Sequence, residues 1–563
     1  MSAAPKILLI SDFNIANLAA LISNDESEPS CAVTIAPFGQ VDQTLIDHRS
    51  ASWMETPDAA FVWTQPHVEI PSFARLVANQ PVEQEVLVGE VEQFARLLIA
   101  ASGRLKHLFV ATWAVPPWVR GLGPLDMRSS GGIGAALLLM NHSLVQVLEK
   151  EAGIHVLDAR RWIEVCGGGS FSPKLWYNSK TPFNTAVFMQ AAVELKASLR
   201  ALAGGARKLI VTDLDDTLWG GVVGDVGWEN LSVGGHSAEG EARVDFQRAL
   251  KGLSNRGILL AIASKNQESV ALEALERHPE MVLRSADFAG WRINWQDKAA
   301  NIASLAQELN LGLQSVVFID DNPAERGRVR EALPEVFVPD WPESPLLYPS
   351  ALGSLTCFDP GSISQEDRDR AGSYQQERQR RSSNPLVGSM DEWLLSLELR
   401  VVAEELSAAN LQRVTQLLNK TNQMNMSTRR LSEKELSQWV ESEGNRLWAF
   451  RVMDRFGDSG LTGIVSVTTA GGAAGIVDLV LSCRVMGRNV EDAMLHFVVS
   501  QLRGSPNPPA LLKARYVPTA KNAPCLEFLS RSQLLRSEGD PHDFSWACED
   551  EYKCPAHVSL TCH

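Results

Sequence analysis

Residues 208–217 read KLIVTDLDDT, and this stretch decides the fold. Leu209, Ile210 and Val211 form an apolar run that gives way to Asp213 and Asp215, the pattern of a buried strand with acids at its carboxyl end. Two further apolar runs follow: 257–263 (GILLAIA) stops at Ser264, and 315–319 (SVVFI) stops at Asp320 and Asp321. Lys298, in WQDKAANI, opens a helical pattern between them. Strands separated by helices predict a parallel α/β sheet, and polar groups at the strands' carboxyl ends converge on one crevice.

The same alternation fills the upstream sequence. Apolar runs at 7–10, 32–35, 59–63, 108–112 and 154–157 are separated by amphipathic stretches such as 91–101 and 135–151, which predicts a second parallel sheet over 1–204. The DLDDT unit spans 205–345 and is expected to close at the proline-rich 339–349. A charged helical segment (SQEDRDRAGSYQQERQRRS, 364–382) marks a link over 346–387. From 388 to 563 the order is a helix at 410–420, strands at 447–454, 462–468 and 476–482, then a helix at 491–502, predicting a separate α+β domain. The fold class is thus multi-domain α/β, in keeping with a length of 563 residues at roughly 100–200 per domain.

Composition narrows the function. Acidic residues outnumber basic ones, 67 to 52, for a net charge of −15, which disfavours nucleic acid and anionic membrane as partners. No apolar run approaches the ~18 residues of a membrane span, and the N-terminus reads directly into a strand rather than a signal peptide. Eight cysteines without CxxC spacing suit a reduced, cytoplasmic protein and argue against a zinc site at Cys548, Cys554 and Cys562.

The residue types around DLDDT suit phosphoryl transfer. A carboxylate can attack phosphorus, which fits Asp213; Asp215, two residues on in an extended segment, can protonate the leaving oxygen and then activate water. Carboxylates meeting a phosphate need a cation between them, so Asp213, Asp215, Asp320 and Asp321 are candidate ligands of Mg²⁺. Thr217 or Ser264 can donate to phosphoryl oxygens, and Lys298 and Lys265 offset their charge. Only 50 residues separate Asp213 from Ser264, too few for an inserted lid, so a neighbouring domain or a protein partner is expected to cover the site. Farther on, Cys483 stands beside Arg484 near a helix start, a setting that favours a thiolate.

These motifs resemble known families. DLDDT, Ser264, Lys298 and IDD resemble the haloacid dehalogenase superfamily, which implies a Rossmann-like core. DLDDTLWGGVVGDVGWENL, LAIASKNQE, INWQDKAANI and VFIDDNPAERGRVREALPEV resemble its FkbH-like branch. Residues 484–489, with Arg484, Gly487 and Arg488, resemble the turn of GNAT acyltransferases that holds a pyrophosphate, with Asn489 in place of the last small residue. Asn422, Gln423 and Asn425 also match the FkbH-like pattern. The resemblance implies transfer of a glyceryl unit from 1,3-bisphosphoglycerate to the phosphopantetheine thiol of an acyl carrier protein, for polyketide or tetronate synthesis. In that scheme Cys483, or the carrier's own thiol, displaces the acyl phosphate while Asp213 takes the ester phosphate. The alternatives are a Mg²⁺-dependent phosphatase without acyl transfer and a non-catalytic docking platform. The first 204 residues resemble an SGNH-like hydrolase fold with Ser11 near its nucleophile. No histidine falls between His155 and His236, so the unit reads as a scaffold or docking domain, with His142 and His155 in packing or surface roles.

Overall fold

The computed structural model describes residues 4–47, 49–361, 394–455, 457–482, 485–519, 521–537 and 539–562. The charged segment 364–382, Cys483 and Arg484 lie outside the described residues. The chain divides into two compact units, Met1–Arg200 with Ser432–Lys434, and Ala201–Leu431 with Glu435–His563.

In the first unit, β1 (Lys6–Ser11), β2 (Ala32–Ile35), β3 (Ala59–Trp63), β4 (His107–Ala111) and β5 (Ile154–Leu157) form a parallel sheet in the order β2-β1-β3-β4-β5. β3 is buried at every position, as a strand covered by helices on both faces must be. The helices Gln84–Ser102 and Ile133–Leu148 supply Leu87, Val91, Phe94, Met140 and Leu144 to one side of this core. Ser11 ends β1 almost fully buried, and its Oγ accepts from the Phe13 amide at 3.2 Å. His142 is exposed. His155 lies 3.2 Å from His107, ring nitrogen to ring nitrogen, and burial pushes both imidazoles down to about 4.

The second unit begins with β6 (Leu209–Thr212), β7 (Leu259–Ser264), β8 (Gly290–Ile293) and β9 (Val316–Ile319), all parallel in the order β8-β7-β6-β9. β6 is paired on both sides: Leu209 faces Leu259 and Val316, and Thr212 faces Ile262 and Ile319. Side chains alternate between two buried layers. Ile210, Ile262 and Ile319 join one with Phe246 and Leu250, while Leu209, Val211 and Phe318 join the other with Ile302 and Leu305. Each such side chain contributes about 1.5–3 kcal/mol on burial. This packing does not stop at 345. Tyr348, Leu352 and Phe358 belong to the same core, and the Arg207 amide donates to the Cys357 carbonyl at 2.8 Å. The prolines mark a turn, and the apolar residues after it return to the sheet.

The rest of the second unit, among the described residues, is a nine-stranded mixed sheet. β10 (Leu399–Glu405), a strand that the sequence reading did not include, precedes the helix Leu411–Lys420. β11 (Met424–Asn425), β12 (Asn445–Asp454), β13 (Gly457–Ala470), β14 (Ala473–Leu481) and the helix Val490–Arg503 follow. β15 (Leu511–Arg515), β16 (Leu535–Arg536), β17 (Asp543–Ala547) and β18 (Val558–Cys562) complete the sheet. β14 and β15 run parallel and pair only over Ala473–Ile476 and Leu511–Ala514. Beyond that the two strands part, and β11 pairs with the free end of β14, Met424 opposite Leu481 and Asn425 opposite Val480. Among the described residues no helix is long and apolar enough to cross a membrane.

Candidate functional site

The acids sit where β6 and β9 end. The Asp213 amide donates to the Ile319 carbonyl at 3.0 Å, so the two strand ends are tied as their carboxylates emerge. Asp213, Asp320 and Asp321 each place an oxygen within 4.8 Å of the others. Lys298, at the first position of the helix Lys298–Glu308, bridges two of them: its Nζ is 2.9 Å from Asp213 Oδ2 and 2.6 Å from Asp320 Oδ2. Thr217 Oγ1 donates to Asp321 Oδ1 at 3.0 Å and accepts from the Asp321 amide at 3.1 Å. Lys298, Asp320, Thr217 and Ser264 are all nearly inaccessible.

Three carboxylates against one ammonium leave two negative charges in a buried space. Burial, then repulsion from Asp213, pushes the Asp320 carboxyl up, outweighing the attraction of Lys298. Burial pushes Asp321 up as well, with Asp213 adding to it. For Lys298 burial acts downward, but the Asp213 and Asp320 charges together hold it above the usual lysine range. Asp213 Oδ1 is buried with no hydrogen-bond partner. A buried acceptor of that kind is costly unless something occupies it. The donor set, all hard oxygens around an orphaned carboxylate atom and two uncompensated charges, fits a divalent cation such as Mg²⁺.

Asp215 stands apart from this cluster. Its Oδ1 accepts from Trp219 Nε1 at 2.7 Å and from the Val223 amide at 3.1 Å, and its Oδ2 from Asn266 Nδ2 at 2.7 Å. Both oxygens are engaged, so its side chain does not join the group of potential metal ligands as the sequence suggested. Burial pushes its carboxyl up, against the pull of those donors, and the Asp213 charge adds to the rise. The chain turns sharply just after it: Asp216 has φ +54°, and the Leu218 amide returns to the Leu214 carbonyl at 2.8 Å.

Comparison with known proteins now bears on the site. No family model matches the chain, and no curated protein matches it. Among solved structures, it is similar to the N-terminal part of BF1531 from Bacteroides fragilis, which contains a phosphatase domain and was crystallised in complex with Mg. The identity is 30%, over 64% of this chain and 95% of that one, with a TM-score of 0.58. The chain belongs to the BF1531 phosphatase-domain family. Weaker likenesses reach the ribosomal-protein-S18-alanine N-acetyltransferase of Escherichia coli (11% identity, 26% of this chain and 94% of that one, TM-score 0.19). They also reach the N-acetylglutamate synthase of Neisseria gonorrhoeae (11% identity, 63% and 99%, TM-score 0.20).

Other residues of this BF1531-family chain take places that its sequence left open. Lys265 pairs with Glu325 at 2.6 Å on the surface beside the site. Asn266 and Trp219, which orient Asp215, were not singled out from sequence, nor was Arg326, whose Nη1 donates to the carbonyls of Asp320 and Asp321 at 2.7 and 2.6 Å. Their signal was position: Asn266 follows Ser264 by two residues, and Arg326 lies in the NPAER run after the acids.

In the C-terminal domain the candidates separate. Asn422 and Gln423 line a cleft with Ser482. Asn425 is fully buried and spends its side chain on the chain itself: Nδ2 donates to the Thr421 carbonyl at 3.0 Å, and Oδ1 accepts from the Thr428 amide at 2.8 Å. Arg488 is likewise buried, its Nη1 3.0 Å from Asp454 Oδ2. Gly487 has φ +79°, a conformation that turns the chain into the helix Val490–Arg503. That helix carries Glu491 and Asp492 in its first turn, and both face Arg531. The gap between β14 and β15 is also filled. The Met426 amide donates to the Leu479 carbonyl at 3.0 Å, the Met426 carbonyl accepts from the Val517 amide at 3.0 Å, and Asn522 Nδ2 donates to the Asn425 carbonyl at 2.9 Å.

Proposed function

We propose that the chain is a Mg²⁺-dependent phosphotransferase that works through an aspartyl phosphate on Asp213 and couples phosphate removal to acyl transfer. The observation that carries this reading is Asp213 itself, one oxygen held by Lys298 and the other buried without a partner inside a carboxylate cluster. The magnesium-complexed phosphatase domain of a 30% identical relative supports the phosphoryl half.

The chain's residues divide the work. Lys298 fixes the Asp213 carboxylate for attack on phosphorus, and Thr217 and Arg326 hold Asp321 and the strand-end turn in register. As the P–O bond to the substrate breaks, Asp215 gives its proton to the leaving oxygen. It then takes a proton from the water that attacks the aspartyl phosphate, releasing inorganic phosphate and restoring Asp213. Mg²⁺, bound by Asp213, Asp320 and Asp321, would offset the charge that gathers where carboxylate meets phosphoryl oxygens.

The FkbH-like motifs support a finer reading. The substrate is 1,3-bisphosphoglycerate, and the glyceryl unit passes to the phosphopantetheine thiol of an acyl carrier protein as a polyketide or tetronate building block. The acyl phosphate is displaced by a thiolate, from Cys483 or the carrier, and the ester phosphate leaves through Asp213. A second reading, hydrolysis of a small phosphorylated metabolite without acyl transfer, is favoured by the filled gap between β14 and β15.

One experiment separates the two. The full chain is incubated with Mg²⁺, 1,3-bisphosphoglycerate and phosphopantetheinylated carrier, and the carrier's intact mass is measured. A gain of one glyceryl group supports transfer. Free phosphate with an unmodified carrier leaves only hydrolysis, and undiminished loading by Cys483→Ala assigns the attack to the carrier's thiol.

A further inference from the structure

The first unit carries a surface that its own packing leaves unused. β4 and β5 lie side by side at one edge of its sheet, and a long connection leaves the carboxyl end of β4. It runs through residues 112–132 to the helix Ile133–Leu148, with a single short turn of helix at Gly123–Leu125. Loops of that length in a compact domain are uncommon and usually serve binding. This one is fastened. Asp126 Oδ1 accepts from the Leu122 and Ile133 amides at 3.2 and 2.9 Å, and Oδ2 from the Gly134 amide at 2.9 Å. Gln84 Nε2 donates to the Ser129 carbonyl at 2.8 Å. The segment that follows β5 joins the loop where Trp118 meets Phe171 edge to face, ring centres 6.0 Å apart, and continues into the helix Pro173–Ser179.

Together the two segments turn large apolar side chains to solvent. Trp118 is 52% exposed, Met127 67% and Tyr177 78%, and Leu122, Leu125 and Leu175 are exposed as well. An apolar group of that size on a folded surface marks an interaction site. Three exposed cations stand among them, Arg120, Arg128 and Lys174, none with a carboxylate partner among the described residues. Over 112–132 and 167–184 the sequence holds four basic residues, counting Lys180, and one acid. That acid is Asp126, whose carboxylate is spent on backbone amides. In a chain with 67 acidic residues against 52 basic ones, this surface reverses the prevailing sign.

We propose that this basic, apolar surface docks an acidic face of the carrier protein. The inference rests on the acyl-transfer reading above and says where in the chain the acceptor is held. Charge complementarity selects the occupant. A second copy of the chain seated about a two-fold axis would set these cations against the same cations. A duplex or an anionic bilayer rewards a longer run of basic residues and a positive chain, whereas this one carries −15. Three cations among six apolar side chains suit a compact face of acids around an apolar centre, with Trp118 and Tyr177 as anchors and the arginines steering the approach.

The full chain with Mg²⁺ is titrated calorimetrically with the phosphopantetheinylated carrier. One carrier per chain is expected to bind, less tightly as salt rises. The double variant Arg120→Glu/Arg128→Glu is expected to weaken binding about tenfold or more, and Tyr177→Ser about threefold or more. Both variants change exposed side chains, so their Tm and their hydrolysis of a small phosphate ester should match the wild type. Four results overturn the proposal: no carrier binding by the wild type, undiminished binding by the folded variants, wild-type dimers that the variants dissociate, or binding of anionic vesicles or duplex DNA, in place of the carrier, that the variants abolish. Glyceryl loading is scored separately from the carrier's mass. Carrier binding that the variants weaken, without any loading, removes the acyl-transfer reading and keeps the docking surface; loading that the variants leave at the wild-type KM does the reverse.

Discussion

Replacing Asp213 by asparagine tests the acid cluster without any substrate. The amide oxygen can keep the place of Oδ2 against Lys298, which puts the NH₂ where Oδ1 is buried and unpartnered, a donor where a cation would need an acceptor. Magnesium at a hundred times its dissociation constant adds about 2.7 kcal/mol to the stability of a protein that binds it only when folded. The second unit has about 360 residues. At about 2.1 cal/mol/K per residue its unfolding entropy is about 0.76 kcal/mol/K, so the wild type should gain about 3–4 °C in Tm. Asp213→Asn should gain less than about 1 °C, while its Tm in EDTA should equal or exceed that of the wild type, because one of three clustered buried charges is gone. Thermal scans of both proteins in EDTA and in Mg²⁺ measure all four values. An equal rise in the two proteins, or none in the wild type, refutes the reading of Oδ1 as the metal-facing atom.

Three further outcomes are expected. Lys298→Met leaves the Asp213 and Asp320 carboxylates facing each other without a counter-charge and should cost about 3–5 kcal/mol of stability, read from chemical unfolding. Trp219→Phe removes the indole N–H that orients Asp215; kcat on a small phosphate ester should fall about tenfold with KM little changed. In the first unit, burial pushes the Asp12 carboxyl up to about 7, against 3.8 when free. The native state therefore keeps a proton that the unfolded chain releases, so this group's contribution declines as pH climbs from 3.8 to 7. Asp12→Asn escapes that loss, and its stability relative to the wild type should improve by about 2 kcal/mol between pH 5.5 and pH 8. Paired urea titrations at the two pH values check the difference.

Parts of this structure were legible because burial on both faces writes a plain signal. β6, β7 and β9 are apolar throughout and end in the polar residues that matter, so KLIVTD, LLAIAS and VVFIDD announced both strand and site. β8, Gly-Trp-Arg-Ile, did not: it is an edge strand, half-buried at its centre, and its arginine turns to Ser304 and Glu308. β10 hid for a related reason. Leu399–Glu405 carries an exposed arginine at its second position and ends in two glutamates, which dilutes its apolar content. At the site, sequence order placed Lys298 near the acids but could not show that one ammonium bridges Asp213 and Asp320. Nor could it show that the side chain of Asp215 is oriented by Trp219 and Val223 of its own segment and by Asn266 after β7, a contact that arises only once the two strand ends are brought together.

β6 also acts as a ruler. Every one of its four residues is matched to a partner on either side, so lengthening it by one would slip two ladders at once and turn buried side chains to the wrong layer. The interval between its two ends is therefore fixed by the most heavily packed part of the domain. Descendants of this sequence are free to rework the loops at either end, but the spacing of whatever those loops hold is inherited unchanged.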